Sequence, residues 1–214
     1  MPDEVRPPPS PDRFNSAYDG APPPWDIGRA QPGFIAWADA GAIRGAVLDA
    51  GCGTGENALM CAARGLEVVG VDLVPKAIAA ATAKAMARGL AARARFVVHD
   101  ALDLETLARR FETVLDCGLF HVFDDDAREH YLASLRSALA PGGAYLMMCF
   151  SDREPTDWGG PRRVTEAELR ATFTPARGFR VRAIEPGLFT TNIHENGGQA
   201  WRFAAERIGA AHDR

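Results

Sequence analysis

Apolar stretches of strand length alternate with helical patterns along most of the chain after residue 45. The second stretch, residues 67–72, is an almost unbroken apolar run, as is typical of a strand buried on both faces of a sheet. Between the stretches, Pro75 and Gly89 are placed to begin and end one helix, and a Pro-Gly-Gly sequence at residues 141–143 is expected to stop another. The alternation predicts an α/β fold, a seven-stranded and mostly parallel sheet with helices on both faces. The predicted strands are residues 46–50, 67–72, 95–100, 113–117, 144–150, 179–184 and 199–206.

The chain before this alternation is rich in proline and aromatic residues. Five prolines within the first eleven residues predict that residues 1–13 form a disordered N-terminal tail. Residues 14–45 combine aromatic residues and prolines with one short helix, and we expect this cover segment to lie over the sheet because it has no core of its own. No internal repeat is visible, so residues 14–214 are predicted to form a single domain.

Composition and charge exclude several classes of partner. The 214 residues are 47% hydrophobic and 24% charged, which is ordinary for a globular protein. A net charge of −4 and a pI near 5.7 provide no basic surface for nucleic acid or for an anionic membrane. The alanine-rich residues 77–94 contain Lys84, Arg88 and Arg93, so no membrane span is predicted there. We therefore expect a cytoplasmic monomer that acts on a small molecule.

The cysteines give no sign of a disulfide framework or a metal site. Cys52, Cys61, Cys117 and Cys149 lie far apart, and no Cys-x-x-Cys pair is present. Each lies in or beside an apolar stretch, where a free cysteine behaves as a small hydrophobic residue. We expect reduced thiols and no bound metal.

The most informative motif follows the first strand, where residues 49–55 read Asp-Ala-Gly-Cys-Gly-Thr-Gly. Glycines at a strand-to-helix turn let a ligand contact bare backbone, which predicts a nucleotide-like ligand; the alternative is a plain tight turn. Glu56 stands where a dinucleotide fingerprint needs its third glycine, and no Gly-Lys-Ser/Thr sequence completes a P-loop. Asp49 would repel a pyrophosphate and attract a cation. These features favour S-adenosylmethionine, which carries an ammonium and a sulfonium group.

Two further aspartates end predicted strands beside this turn. Asp72 closes the second strand, where its carboxylate can accept hydrogen bonds from both hydroxyls of a ribose. Asp100 closes the third strand and could accept the amino group of adenine while the Ala101 amide donates to the ring. Each aspartate could instead be the N-cap of the helix that follows it.

These motifs resemble those of class I methyltransferases. Residues 49–55 are similar to motif I of that family, and the two aspartates stand at its ribose and adenine positions. Residues 24–32, Pro-Trp-Asp-Ile-Gly-Arg-Ala-Gln-Pro, together with Gly-Gly-Pro at 159–161, resemble the thiopurine and halide/thiol methyltransferase-like group. Within that group, Cys-Gly-Leu-Phe-His at 117–121 is most similar to actinobacterial methyltransferases of heterocyclic toxins and hydroxyquinolones.

The resemblance implies a single Rossmann-like domain, S-adenosylmethionine as cofactor and S-adenosylhomocysteine as its product. In the group, the tryptophan segment folds over the cofactor, which implies contacts from Trp25 and its neighbours. One departure is Arg162, which stands where the group often has a second proline. The cofactor-binding residues expected in this chain are Trp25, Gly28, Arg29, Asp49, Gly51, Cys52, Gly53, Asn57, Asp72, Leu73, Asp100, Ala101 and Cys117.

The acceptor pocket is expected at the carboxyl edge of the sheet, where open α/β folds bind their ligands. The predicted substrate-binding residues are Phe14, Tyr18, Phe120, Trp158 and Arg162; the alternative for the aromatic residues is an ordinary place in the core. His121 follows the fourth strand and is expected to act as a base or orienting group, because the usual pKa of histidine lies near working pH. The alternative for His121 is a hydrogen-bonded structural histidine.

Methyl transfer to the oxygen or nitrogen of a small heteroaromatic or phenolic compound, in detoxification or secondary metabolism, is the function that these patterns favour. A halide or thiol methyltransferase is the alternative within the same group. Two functions of other classes stay open: an NAD-dependent oxidoreductase, against which the glycine spacing counts, and a non-catalytic regulatory protein that binds S-adenosylmethionine. The aromatic cover counts against the regulatory protein, since such a protein need not exclude water from a reaction centre.

Overall fold

The structure is a computed structural model that describes residues 11–158 and 161–209. Its strands are β1 Val47–Ala50, β2 Val68–Asp72, β3 Ala94–Val98, β4 Phe111–Cys117, β5 Leu139–Phe150, β6 Phe179–Phe189 and β7 Gly198–Arg207. They form one sheet in the order β3-β2-β1-β4-β5-β7-β6. Neighbouring strands are parallel except at β7, which runs antiparallel to both β5 and β6. The predicted seven-stranded, mostly parallel sheet is confirmed.

Helices cover both faces of this sheet. They are α1 Pro11–Ala17, α2 Pro32–Asp39, α3 Glu56–Ala63, α4 Pro75–Ala87, α5 Asp125–Ala138 and α6 Glu166–Thr172, with 3₁₀ helices at Ala101–Leu107, Phe120–Val122 and Pro175–Arg177. One apolar cluster joins α2, α3 and α4 to the sheet, and a second joins α5, α6 and Ala101–Leu107 to the opposite face. None of the helices in the described ranges is long and apolar enough to cross a membrane.

The two-residue period of a strand sends neighbouring side chains of β1 and β4 to opposite faces. In β1, Val47 packs in the α3-side cluster, and Asp49, two residues on, accepts a hydrogen bond from α3. In β4, Val114 packs in the α5-side cluster, and Asp116 bonds a tyrosine of α5. The sheet therefore buries one carboxylate on each face, close to the carboxyl ends of two adjacent strands.

The order of the strands reverses between β1 and β4, because the chain adds β2 and β3 on one side of β1 and then β4 and β5 on the other. At such a switch point the loops that follow the two strands diverge and open a crevice for a ligand. The loops after β1 and β4 remain close together here, since a Cβ on Gly51 would lie 3.2 Å from the Leu119 side chain. The fold thus places the glycine turn at the expected ligand crevice.

Three predicted element boundaries are wrong: the end of the helix before β5, the start of β5 and the end of β6. The helix before β5 ends at Ala138, ahead of the Pro-Gly-Gly sequence, because Leu139 is already extended (φ −74°, ψ 139°). Residues 140–143 instead bulge out of β5, whose register jumps between Leu139 and Ala144. Strand β6 continues to Phe189, well past residue 184, since Pro186 and Gly187 remain paired with β7.

The N-terminal boundary also differs, because α1 begins at Pro11, inside the predicted tail. Proline is favoured in the first turn of a helix, where its missing N–H has no partner to lose. The rest of that predicted tail, residues 1–10, lies outside the described residues.

Candidate active site

The glycine turn connects β1 to α3 with three residues in the left-handed region. Gly51, Gly53 and Gly55 have φ values of 68°, 52° and 84°. At Gly55 a Cβ would lie 2.7 Å from the Phe96 ring, so this glycine is needed for packing. At Gly53 it would lie 3.2 Å from the Tyr18 hydroxyl, between the turn and the cover segment. Gly51 and Gly53 therefore adopt backbone conformations that favour glycine at the turn after β1, and their contact with a ligand stays a prediction.

Asp49 lies completely buried beneath this turn with one oxygen unpaired. Its Oδ2 accepts from the Ala58 amide in the first turn of α3 at 3.0 Å, whereas Oδ1 has no hydrogen-bond partner among the described residues. Burial raises the pKa of Asp49 from 3.8 to about 7, and the Asp116 and Asp72 carboxylates add to the shift. An orphaned carboxylate oxygen at the glycine turn is a site for a cationic group, since a buried polar atom without a partner destabilises the fold.

Asp72 fixes the glycine turn as well as ending β2. Its Oδ2 accepts from the Gly53 amide at 2.8 Å, and its Oδ1 accepts from the Val74 amide at 2.9 Å. Each carboxylate oxygen can accept a second hydrogen bond, so both retain capacity for a ribose hydroxyl. Burial raises the pKa of Asp72, while these two amides oppose the shift. Leu73 is 44% exposed beside it and provides an apolar surface at the same edge of the sheet.

Asp100 is the N-cap of the 3₁₀ helix Ala101–Leu107, as one of the two sequence interpretations anticipated. Its Oδ1 accepts from the Leu102 amide at 2.8 Å, and its other oxygen is free to accept from a ligand. Ala101 is buried behind it. His99 is hydrogen-bonded at both nitrogens, to the Asp100 carbonyl and to Thr106, which agrees with a structural role.

The aromatic part of the cover segment lies directly over the glycine turn. The Trp25 indole N–H donates to the Tyr18 hydroxyl at 3.2 Å, and the two rings meet edge to face at 6.4 Å. Phe14 packs against the other side of Trp25 at 6.3 Å. Burial raises the pKa of Tyr18, with the Asp72 and Asp26 carboxylates adding to the shift, so the phenol stays neutral. Phe14, Tyr18 and Trp25 together form an aromatic roof above Gly53.

The polar part of the cover segment is fastened to the glycine turn through Asp26. Its Oδ2 accepts from the Thr54 hydroxyl at 2.8 Å, and its Oδ1 accepts from the Gly28 amide at 3.2 Å. Thr54 in turn accepts from the Lys84 ammonium at 2.7 Å. Arg29 is exposed and has no hydrogen bond or ion pair with another described residue, so its guanidinium is free for an anion.

The cover segment is also fastened to the β6–β7 hairpin. Gln31 exchanges two hydrogen bonds with the Thr190 backbone, at 2.8 and 3.0 Å. Asn192 donates its side-chain amide to the carbonyls of Pro23 and Asp26, at 3.3 and 2.5 Å. These contacts join residues 23–31 to the loop between β6 and β7.

Asn57 connects the cover segment to the end of β4. Its Oδ1 accepts from the Gln31 amide at 3.1 Å, and a hydrogen bond from Asn57 partly offsets the effect of burial, which raises the pKa of Cys117. Burial also raises the pKa of Cys52, so both thiols are neutral. Among the expected cofactor residues, Asn57 and Cys117 thus support the walls of the crevice.

A row of rings extends from the end of β4 toward the surface. His121 stacks on Phe150 with ring centroids 5.1 Å apart, and Phe150 packs against Trp158 at 5.7 Å. Trp158 stacks on His194 at 4.0 Å, and Phe189 closes the row against Phe150 at 5.2 Å. Trp158 is the predicted substrate residue that belongs to this row.

The base role expected of His121 does not fit the geometry. Its Nδ1 accepts from the Phe150 amide at 3.0 Å, so this nitrogen's lone pair is already engaged. Burial lowers the pKa of His121 to about 3, and the positive charge of Arg128 adds to the effect. A neutral imidazole of this kind is a poor proton acceptor near neutral pH. The hydrogen-bonded alternative describes the residue better.

Two predicted substrate residues lie away from the crevice. Phe120 is completely buried beneath Phe173 and the Arg128 guanidinium, because Asp116 accepts from the Leu119 and Phe120 amides and turns the chain into the α5 layer. Arg162 forms ion pairs with Asp125 and Glu168, both at 2.5 Å. Its charge is neutralised there, so it is not available to a substrate.

Sequence reasoning missed Asp116, Gln31, Asn192 and Phe189. Gln31 lies inside the tryptophan motif, and its polar side chain between apolar neighbours was a usable signal. Asp116 stands in an apolar run one residue before the end of β4, a place where a buried carboxylate has to be compensated. Asn192 and Phe189 gave no local signal, since their role depends on a hairpin that the sequence predicted too short.

The arrangement fits S-adenosylmethionine. The orphaned Asp49 oxygen suits its ammonium, the free Arg29 guanidinium suits its carboxylate, and the spare Asp72 oxygens suit its ribose hydroxyls. The glycine turn does not suit a pyrophosphate, because Glu56 stands where the dinucleotide fingerprint has its third glycine and no Gly-Lys-Ser/Thr sequence completes a P-loop. A donor set of this kind binds a nucleoside attached to a zwitterionic amino acid.

Comparisons with known proteins agree with this fit. Residues 47–143 match the family model described as a methyltransferase domain. The chain is 38% identical, over 92% of its own length and 89% of the relative's, to 2-heptyl-1-hydroxyquinolin-4(1H)-one methyltransferase of Mycobacteroides abscessus. It is 26% identical, over 80% of its length and 75% of the relative's, to probable thiol methyltransferase 2 of Arabidopsis thaliana.

Solved structures lead to the same family. A structure from work on the conversion of a disulfide bond into a thioacetal group during echinomycin biosynthesis superposes with a TM-score of 0.83, at 38% identity over 93% of each chain. The oxidoreductase alternative is therefore wrong. The relatives' identity over nearly the whole chain, and a crevice that fits the cofactor, show that this protein belongs to the S-adenosylmethionine-dependent methyltransferases.

Proposed function

We propose that this enzyme methylates an oxygen or a ring nitrogen of a small heteroaromatic or phenolic compound. The observation that carries the proposal is the 38% identity, over 92% of the chain, to an enzyme named for a hydroxylated quinolone. The row of rings beside the crevice supports it, because flat aromatic acceptors stack on such surfaces.

Bound S-adenosylmethionine supplies an electrophilic methyl group, so the protein's work is to align an acceptor with it and to exclude water. Asp49, Arg29, Asp72 and Asp100 are the residues that would hold the cofactor. Tyr18 and Trp25 shield the crevice from solvent above the glycine turn. Since Tyr18 is neutral, it offers a hydrogen bond without adding a charge to the reaction centre.

An open cleft of about 520 Å³ begins where the row of rings reaches the surface. Trp158 and His194 line this cleft together with Leu188 and Ile193, which are 54% and 63% exposed. Exposed aliphatic side chains beside stacked rings suit a ring system with an apolar substituent. We infer that the acceptor's ring enters the crevice and that its substituent occupies this cleft.

Thiol methylation is the second candidate. It is favoured by the likeness to the Arabidopsis thiol methyltransferase and by the sulfur chemistry associated with the superposed structure. A thiolate would need no residue of this chain to remove its proton, so the poor basicity of His121 does not count against it.

A methyl-transfer screen tests the proposal. The acceptors are 1-hydroxyquinolin-4(1H)-one with and without a 2-heptyl chain, a simple phenol, an aliphatic thiol and iodide, each with S-adenosylmethionine and detection of the methylated product. We expect the hydroxyquinolones to react, with the lower KM for the alkylated form. Transfer to the thiol or iodide but to no hydroxyl or ring nitrogen would replace the proposal with the second candidate.

We further infer that the enzyme works as a monomer and needs no macromolecular partner. The net charge of −4 supports the absence of a nucleic-acid partner, since the chain carries no excess of basic residues. Sedimentation velocity at the concentrations used for activity checks the monomer. Loss of activity on dilution would contradict it.

A further inference from the structure

His121 is a nearly buried imidazole with only one nitrogen in use. The side chain is 5% exposed, its ring lies parallel to Phe150 at an interplanar angle of 5°, and its Nδ1 accepts from the Phe150 amide at 3.0 Å. Two contacts to one residue, one through the ring face and one through the ring edge, fix the orientation of the imidazole.

This orientation determines where the proton is. A nitrogen that accepts from a backbone N–H carries no proton, so the neutral ring must carry its proton on Nε2. The charged groups on the elements packed around it are Arg128 of α5, Asp116 of β4 and Glu168 of α6, of which Arg128 acts on the ring directly. Burial and this positive charge lower the pKa of His121, so the ring stays neutral near physiological pH.

Nε2 is the free end of the ring, and His121 lies in the loop that follows β4 at the carboxyl edge of the sheet. Nε2 forms no hydrogen bond with a described residue. Unlike Oδ1 of Asp49, it is not completely sealed from solvent. A Cβ on Gly118 would lie 3.2 Å from Nε2 and 3.2 Å from the Phe189 ring. Any side chain at Gly118, whose φ is +82°, would therefore crowd Nε2 where the loop after β4 begins.

We infer that His121 donates its Nε2–H to the reacting oxygen of the acceptor and does not remove a proton from it. The inference rests on the proposed function, since it requires an acceptor with an oxygen. The acceptor loses its proton to water before transfer and enters as an oxyanion. An oxygen lone pair then forms the bond to the methyl carbon, and the electron pair of the broken carbon–sulfur bond leaves with the sulfur. His121 holds the oxyanion in line throughout.

The inference predicts a tautomer that can be observed without any substrate. Full-length protein with ¹⁵N-labelled histidine should show an unprotonated Nδ1 and a protonated Nε2 at His121 from about pH 5 to about pH 9. An ordinary histidine changes its protonation state within this range. His121→Asn identifies the resonance by its loss. A proton on Nδ1, or a titration between about pH 5.5 and pH 7.5, would overturn the inference.

Kinetics supply the second test with two matched variants. His121→Asn can still accept from the Phe150 amide but cannot reach the Nε2 position, whereas His121→Gln can place an N–H close to that position. We expect kcat/KM for a hydroxyl acceptor to fall roughly 10- to 100-fold in His121→Asn, the usual effect of one hydrogen bond to a charged group, and to recover in part in His121→Gln. Equal losses in both variants would indicate a packing role.

The pH profile separates a donor from a base. With a donor, the inflection in log kcat/KM moves with the acceptor's own pKa across ring-substituted acceptors; with a base, it stays fixed at the pKa of the enzyme group. A fixed inflection contradicts the inference. If wild type methylates thiols but no hydroxyl, the proposed function fails, and the tautomer measurement still decides whether Nε2 is a donor.

Discussion

Two buried carboxylates on adjacent strands show how single residues divide the work of the site. Asp116 accepts four hydrogen bonds, from two tyrosine hydroxyls and two amides, and is fully compensated. Asp49 accepts one and leaves an oxygen unpaired. The compensated group stabilises the loop after β4, and the uncompensated group is available to a ligand.

Asp49 makes the cofactor-free enzyme sensitive to pH. Its pKa is raised from 3.8 to about 7 on folding, so the stability it contributes is complete below about pH 4 and is lost as pH rises through about 7. Asp49→Asn removes this loss. The free energy of unfolding of wild type relative to the variant should therefore fall between pH 4 and pH 8, by at most on the order of 2–4 kcal/mol.

Urea unfolding across pH measures this difference, and the same variant should bind S-adenosylhomocysteine at least about tenfold more weakly at pH 8. Asp39→Asn is the matched control, because Asp39 lies in an exposed ion pair with Arg64 whose contribution is small. Parallel pH curves for wild type and Asp49→Asn would show that the carboxylate is not protonated in the folded state.

Asp72 supports the ligand and the turn together. We expect Asp72→Ala to weaken S-adenosylhomocysteine binding by on the order of 1–3 kcal/mol, because ribose hydroxyls and the Gly53 amide lose their acceptor. Asp72→Asn keeps an acceptor oxygen for one of these groups and should lose less. Isothermal titration calorimetry gives both affinities. An unchanged affinity in Asp72→Ala would remove this residue from the cofactor site.

At the scale of elements, the strands and helices around the glycine turn were predictable because each carries its own signal. An almost unbroken apolar run marks β2, apolar runs interrupted by an aspartate mark β1 and β4, and Pro75 marks the first turn of α4. Asp49 and Asp72 follow from their places at strand ends. The positions of Phe120 and His121 did not follow, because they depend on a turn that the buried carboxylate of Asp116, four and five residues earlier, holds through the Leu119 and Phe120 amides.

The cover segment is predicted to be essential for transfer and dispensable for folding. A variant that begins after residue 28 loses Tyr18, Trp25 and the bonds of Asp26, so water enters the crevice, while the apolar clusters on both faces of the sheet remain. Activity should fall at least about 100-fold with the circular dichroism spectrum preserved.

Deletion of residues 1–10 is the control for that truncation, because it removes none of the contacts described above. We expect it to retain activity. Full activity in the variant that begins after residue 28 would show that the segment is not a cover.

The hairpin contributes to cofactor binding through Asn192. Asn192→Ala loses two hydrogen bonds to the backbone of the cover segment, and S-adenosylhomocysteine should bind more weakly by about 1–2 kcal/mol, with kcat changed less than KM for the cofactor. Asn196→Ala is matched to it, since Asn196 lies in the same loop and bonds no described residue. Equal affinities in the two variants would contradict this coupling.

At the scale of the whole molecule, we expect S-adenosylhomocysteine, and not NAD, to stabilise the folded protein. S-adenosylhomocysteine at a hundred times its Kd should raise Tm by roughly 5–10 °C, the shift expected from about 2.7 kcal/mol of binding energy in a chain of this size. NAD at the same concentration should leave Tm unchanged, because the glycine turn lacks the dinucleotide spacing. Differential scanning calorimetry compares the two. Stabilisation by NAD would contradict the assignment of the crevice.

The bonds between Gln31 and Thr190 join residues that are 159 positions apart in the chain. On the ribosome, the glycine turn therefore emerges long before the hairpin that fastens its roof, by roughly 7–30 s at ordinary rates of synthesis. During that interval the chain also lacks β7, the strand that pairs with both β5 and β6. A nascent chain that stalls before Thr190 would expose the turn with an unfastened roof, and only the finished hairpin makes cofactor retention possible.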